Sequence, residues 1–157
     1  IPRVSTYRIV QLSGTTSIRW CKSCFKDIEF YENALTPPFP FGNRSIDVVY
    51  ALSVFTHLSE NMHEAWITEI LRVLKPGGLL LVSLHGEKKM QHLLPDEMQS
   101  FQNGDIVVKD NVQEGKKHFL AYHSERYVRT KMLSRFSVVE RAVDADLHQD
   151  FWVAVAP

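Results

Sequence analysis

Two thiols three residues apart stand behind a tryptophan in the run Trp20-Cys21-Lys22-Ser23-Cys24. Such a pair exchanges electrons with a disulfide when its first thiol lies at a helix amino terminus and ionises there. His57 follows an apolar strand by a few residues and precedes a helix. A side chain of near-neutral pKa at that place can face a substrate and act as a base, and the same place suits a histidine hydrogen-bonded to backbone. Asn33-Ala34 and Ala51-Leu52-Ser53 leave two successive strands. In an open α/β sheet ligands bind beyond the carboxyl ends of the strands, so these residues would line one crevice. The plainer alternatives are that Asn33 caps a turn and that Ala51 and Ser53 pack a strand end. Tyr122, His123 and Tyr127 could shape a pocket later in the chain. A zinc site would need two ligands beyond the cysteines, and the seven histidines show no partner spacing, so no metal is expected.

Short apolar strands alternate with helices, the pattern of a mostly parallel α/β sheet. Tyr7 to Leu12 reads as a strand, Ser17 to Phe25 as a short helix, and Ile28 to Glu32 as a second strand. Thr36-Pro37-Pro38-Phe39-Pro40 is an extended connection, because three prolines remove donors and fix φ. Asp47 to Leu52 reads as a buried strand. The strongest helix follows, with Ser59 as N-cap, Glu60 and Glu64 at its positive end, and Met62, Trp66, Ile70 and Leu74 recurring every four residues. Lys75 is expected in its last turn, with Pro76-Gly77-Gly78 ending it. Leu79 to Leu84 is the next strand. Residues 86–122 read as an irregular insertion with a short helix near Asp96 and strands near Ile106 and Phe119. Ser124 caps a helix through Leu133, and Ser137–Arg141 with Phe151–Ala156 form a closing strand pair. This helix pattern puts Cys21 inside a helix and not at its positive end, which counts against the redox reading.

The ordered block from Asn33 to Leu84 carries more information than any single element. It holds Ile46-Asp47-Val48-Val49-Tyr50, then Ala51-Leu52-Ser53-Val54-Phe55-Thr56-His57-Leu58, then Leu71-Arg72-Val73-Leu74-Lys75-Pro76-Gly77-Gly78 and a strand. At these spacings the chain resembles class I S-adenosylmethionine-dependent methyltransferases of the type-11 kind, closely over residues 17–85 and loosely through Gln149-Asp150. The resemblance implies a Rossmann-like three-layer α/β/α sandwich, a mostly parallel sheet with antiparallel closing strands, and S-adenosylmethionine as cofactor. It places Asn33 and Ala34 against the adenine, and Ala51 and Ser53 near the methionine part. It implies methyl transfer to a small acceptor, with His57 as the catalytic candidate. Methyl transfer from a sulfonium needs mostly alignment, and positioning alone supplies roughly 7–11 kcal/mol of barrier reduction.

The chain departs from that pattern at its start. The glycine-rich loop after the first strand is absent, and Leu12 or Thr16 stands where a carboxylate should hold the ribose hydroxyls. The chain opens at Ile1 without methionine and reads as the carboxy-terminal two-thirds of one domain, amino-terminally incomplete, lacking the first strand. That strand belongs in mid-sheet, so Tyr7–Leu12 is expected to pair directly with the Asp47 strand, or an unpaired sheet edge to recruit a partner copy. Two further readings stand beside methyl transfer. One is a cofactor-free remnant serving as an interaction domain, and the other a thiol–disulfide oxidoreductase using Cys21 and Cys24, whose Trp-Cys-x-x-Cys run resembles thioredoxin's.

Bulk composition sets the outer bounds. With 157 residues, 45% hydrophobic and 23% charged, the chain suits a single domain, 1–157, with a core of its own. Eighteen basic residues balance eighteen acidic ones, which gives no electrostatic case for a nucleic-acid or membrane-surface partner. The longest apolar run falls far below the ~20 residues of a membrane span. Two cysteines and no basic-then-apolar leader make the cytoplasm the expected location.

Overall fold

The computed structural model describes residues 7–11, 15–143 and 149–157. Its contacts divide the chain into two compact units, Ile1–Phe39 and Pro40–Pro157. In the first, β1 (Tyr7–Gln11) lies parallel to β2 (Ile28–Glu32), in register from Tyr7 opposite Ile28 to Gln11 opposite Glu32. A parallel pair needs a crossover, which α1 (Thr15–Cys24) supplies. Ile18 of α1 and Phe30 of β2 are buried, with the Phe25 ring 6.2 Å from that of Phe30. The expected pairing of Tyr7–Leu12 with the Asp47 strand is corrected here: the ladder of β1 is with β2, and Leu12 lies outside the described residues.

The second unit is organised by a four-stranded sheet. β3 (Ile46–Ala51) runs parallel to β4 (Leu74–Leu84), β8 (Asp150–Val155) runs antiparallel to β4, and β7 (Ser137–Val143) antiparallel to β8, in the order β3-β4-β8-β7. The fold class is therefore α/β, with parallel ladders and an antiparallel closing pair. The expectation that the Asp47 strand is buried is corrected. Within this sheet β3 has a ladder on one side, and Asp47, Val48 and Tyr50 are exposed while Ala51 at its carboxyl end is buried.

α2 (Glu60–Val73) starts as its sequence dictates, with the Ser59 hydroxyl accepting from Met62 N–H at 3.4 Å. His63, Trp66, Ile67, Ile70 and Val73 form its buried stripe at three- and four-residue steps. Its end falls earlier than expected. Leu74 is extended (φ −67°, ψ 140°) and pairs with Ile46, so Lys75 belongs to β4, where its Nζ lies 2.7 Å from Asp47 Oδ1. Competition from the parallel ladder ends the helix before Pro76 is reached. Glycine is required at Gly78, because a Cβ there would stand 2.9 Å from the Lys75 carbonyl oxygen and 3.1 Å from that of Asp47.

Between β4 and β7 lies the insertion. It holds α3 (Pro95–Gln102) and an antiparallel pair, β5 (Ile106–Lys109) with β6 (Leu120–His123). Leu93, Phe101, Val107 and Tyr122 form its own small core. α4 (Glu125–Tyr127) is capped by Ser124, whose hydroxyl accepts from Tyr127 N–H at 3.1 Å. It then widens into a π-turn over Val128–Met132, a local geometry frequent near functional sites.

Candidate functional site at the carboxyl edge of the sheet

Ala51 ends β3, and the chain must turn at once into α2. Ser53 makes the turn in the left-handed region, at φ 51°. A non-glycine residue in a sparsely populated region costs of order 1–3 kcal/mol and persists where its surroundings over-determine it. They do so here. Ser53 N–H donates to Ser83 Oγ at 2.9 Å, and Thr56 Oγ1 donates to the Ser53 carbonyl at 2.9 Å. Gln149 Nε2 donates to Ser53 Oγ at 2.5 Å. Ser83 belongs to β4, while Gln149 immediately precedes β8. Because β8 is antiparallel, its first residues arrive at the edge where β3 and β4 end, with Asp150 opposite Leu84.

His57 lies in a short 3₁₀ turn, Phe55–His57, between β3 and α2. Its Nδ1 donates to the Phe119 carbonyl at 2.8 Å, since a carbonyl can only accept, and this leaves Nε2 as the basic nitrogen. Gly115 N–H donates to the His57 carbonyl at 2.9 Å, and Ser59 N–H donates to Glu114 Oε1 at 2.5 Å. The insertion is thus fastened onto the β3–α2 connection by backbone and side chain together.

Behind this connection lies a buried histidine cluster. His63 Nε2 donates to the Phe55 carbonyl at 2.8 Å and its Nδ1 stands 3.3 Å from Tyr127 Oη. The His63 and His123 rings stack with centroids 5.0 Å apart. The His123 backbone N–H donates to the His85 carbonyl at 2.7 Å, and the His85 ring lies 5.5 Å from that of Tyr122. Burial holds these histidines neutral: it lowers His63 and His85 each to about 4, and His123 well below the ordinary value. Neither ring nitrogen of His123 has a hydrogen-bond partner among the described residues.

On the other flank Arg141 of β7 gathers three carboxylates. It meets Asp150 Oδ2 through Nε at 3.1 Å and through Nη2 at 2.5 Å, and also pairs with Glu87 and Glu125. Glu87 stands at the start of the insertion and Glu125 just beyond its end, so one guanidinium ties both to β8. Burial pushes the Asp150 carboxyl up, outweighing the pull of Arg141 in the other direction. Gly86 allows this arrangement: a Cβ there would lie 2.1 Å from Asp150 Oδ2.

Of the sequence-derived candidates, Ala51, Ser53 and His57 therefore lie on one connection of the second unit. Asn33 and Ala34 follow the carboxyl end of β2 in the first unit, where Asn33 Nδ2 donates to the Ala34 carbonyl at 3.0 Å and leaves the amide oxygen to accept. Cys21 and Cys24 are free thiols in the last turn of α1, the negative end of the helix, and so lack the placement that redox chemistry needs. Tyr122, His123 and Tyr127 are buried. Ser83, Glu114, Arg141 and Gln149 had no role in the sequence reading. Ser83 carried a signal, as the one polar residue in the apolar run Leu79–Leu84.

In open α/β sheets ligands bind beyond the carboxyl ends of the strands, which is where this strained, polar strand-to-helix connection lies. Residues 7–82 match the family profile described as a methyltransferase domain. Solved structures agree on the fold. An S-adenosylmethionine-dependent methyltransferase from Methanosarcina mazei is 17% identical at a TM-score of 0.66, with 96% of this chain and 82% of that one covered. A putative methyltransferase from Haloferax volcanii, solved in complex with the Trm112 methyltransferase activator, is 18% identical at 0.65, covering 96% and 72%. The 1,6-didemethyltoxoflavin-N1-methyltransferase of Burkholderia thailandensis, solved with S-adenosylhomocysteine, is 12% identical at 0.67, covering 95% and 60%. No helix among the described residues is long and apolar enough to cross a membrane.

Proposed function

We propose that the chain transfers a methyl group from S-adenosylmethionine to a small-molecule acceptor, within one methyltransferase domain spanning residues 1–157. The observation that carries the reading is the Ser53 turn. A strained residue held by three hydrogen bonds at the carboxyl end of β3 is the kind of feature that clusters where a fold contacts its ligand. Ala51 and Ser53 would hold the methionine part of the cofactor. The bound cofactor supplies an activated methyl on a sulfonium. The chain's own residues do the rest. His57, its tautomer fixed by Phe119, presents Nε2 as the proton acceptor for the methylated group, and the insertion screens the acceptor from water.

Cofactor affinity is expected to be low. Leu12 and Thr16 cannot replace a carboxylate on the ribose hydroxyls, and a hydrogen bond to a charged group is worth about 1.5–3 kcal/mol, roughly ten- to over a hundredfold in affinity. Calorimetric titration with S-adenosylhomocysteine should give a Kd weaker than about 100 μM. Binding at low micromolar concentrations would overturn this view of the amino-terminal segment. The absence of saturable binding, with no methyl transfer from labelled cofactor, would overturn the cofactor site itself and favour an interaction domain.

A further inference from the structure

Two of the three bonds on Ser53 fix its backbone. Ser83 takes the N–H and Thr56 donates to the carbonyl. The third is made by the side chain to Gln149, 96 residues further along the chain, and so ties the turn that the other two hold to the start of β8. A serine hydroxyl has one proton to give and two lone pairs to offer. The Gln149 amide occupies a lone pair, so the proton remains unspent. Among the described residues it has no acceptor. Gln149 is itself half-buried and sits beside Asp150, which Arg141 and the pairing of β8 with β4 hold in place. The donor is thus mounted on a fixed strand end.

We propose that Gln149 is a positioning residue: it fixes the Ser53 hydroxyl so that its proton is free for an anionic ligand oxygen, of the carboxylate class carried by the amino-acid end of the cofactor. This rests on the cofactor reading above for the identity of the ligand, but not for the polarity of the hydroxyl. Two substitutions separate polarity from packing. Gln149→Ala removes the tether and lets the hydroxyl rotate. Gln149→Glu keeps the size and reverses the bond, because a carboxylate can only accept: it takes the Ser53 proton and sets a negative charge where a carboxylate should bind.

The first measurement needs no ligand. Amide hydrogen exchange followed by NMR should be at least fivefold faster at Ser53 in Gln149→Ala, with the amides of α2 unchanged, as tether loss without unfolding requires. Equal exchange at Ser53 in variant and wild type overturns the proposal. The second is titration with S-adenosylhomocysteine followed at the Ser53 amide. Affinity should fall about tenfold in Gln149→Ala and about a hundredfold in Gln149→Glu, the range of a bond to a charged group. Equal affinity in Gln149→Glu and Gln149→Ala overturns the proposal, since hydroxyl polarity would then not matter. A wild type that never saturates defeats the cofactor reading instead, and the exchange measurement then decides the proposal alone.

Discussion

Replacing His123 by phenylalanine separates the electrostatic cost of the buried histidine cluster from its packing. The His123 ring is fully enclosed and its nitrogens bond to nothing described, so the substitution breaks no hydrogen bond. What it removes is a proton site of the unfolded chain. His63 falls from 6.5 to about 4 on folding, chiefly through burial, against the pull of the Phe55 carbonyl, Glu60 and Glu114. A histidine lowered in this way is fully stabilising above its unfolded pKa, and its contribution is lost as pH falls from 6.5 towards 4. Between about pH 7.5 and pH 5 the loss through His63 is ~2 kcal/mol. His123 shifts in the same direction, and proton uptake by the unfolded chain caps its loss over that window at ~2 kcal/mol as well. The rings stack 5.0 Å apart, so charging either one opposes charging the other. Together they cost ~4 kcal/mol of the roughly 5–15 kcal/mol that holds a domain together. Urea melts at the two pH values should therefore show His123→Phe gaining ~2 kcal/mol on the wild type as pH falls. Any constant offset from fitting the larger ring cancels in that difference. Parallel pH profiles for the two proteins would refute the reasoning and place His123 in contact with water.

Trp66→Ala should lose ~3–5 kcal/mol in a denaturant melt, because Trp66 is buried in the stripe by which α2 packs; a loss below about 1 kcal/mol would put the ring on the surface. Gly86→Ala should cost ~1–3 kcal/mol in thermal unfolding. Its φ of −103° suits any residue, so the cost is the collision of the new Cβ with Asp150, and wild-type stability would show that this approach is absent.

Local chemistry made part of this molecule legible in its sequence. Ser59 and the four-residue apolar recurrence announced α2, and Ser124 announced α4, because caps and amphipathic stripes are written within one or two turns. Ser53 and His57 were legible because a strand and a helix bracket them. The end of α2 was not, since Leu74 obeys a ladder to Ile46 that no local window contains. Exposure of Val48 and Tyr50 depended in the same way on which strands flank β3. Gln149 was silent for a similar reason: its partner lies 96 residues away, and a lone glutamine before an apolar run reads as a loop residue.

The reversed direction of β8 has a consequence for how the site comes into being. A strand running with its neighbours would deliver its last residue to the carboxyl edge, whereas β8 delivers its first, and β8 is also the strand that joins β7 to the sheet. Loop closure over so long a separation is slow, and domains made during synthesis form in chain order. A nascent chain ending at residue 143 already contains β3, α2, β4 and the whole insertion, yet its Ser53 hydroxyl has no tether and its Arg141 has no Asp150. The candidate ligand edge of this unit is therefore complete only once β8 has been made and has joined the sheet.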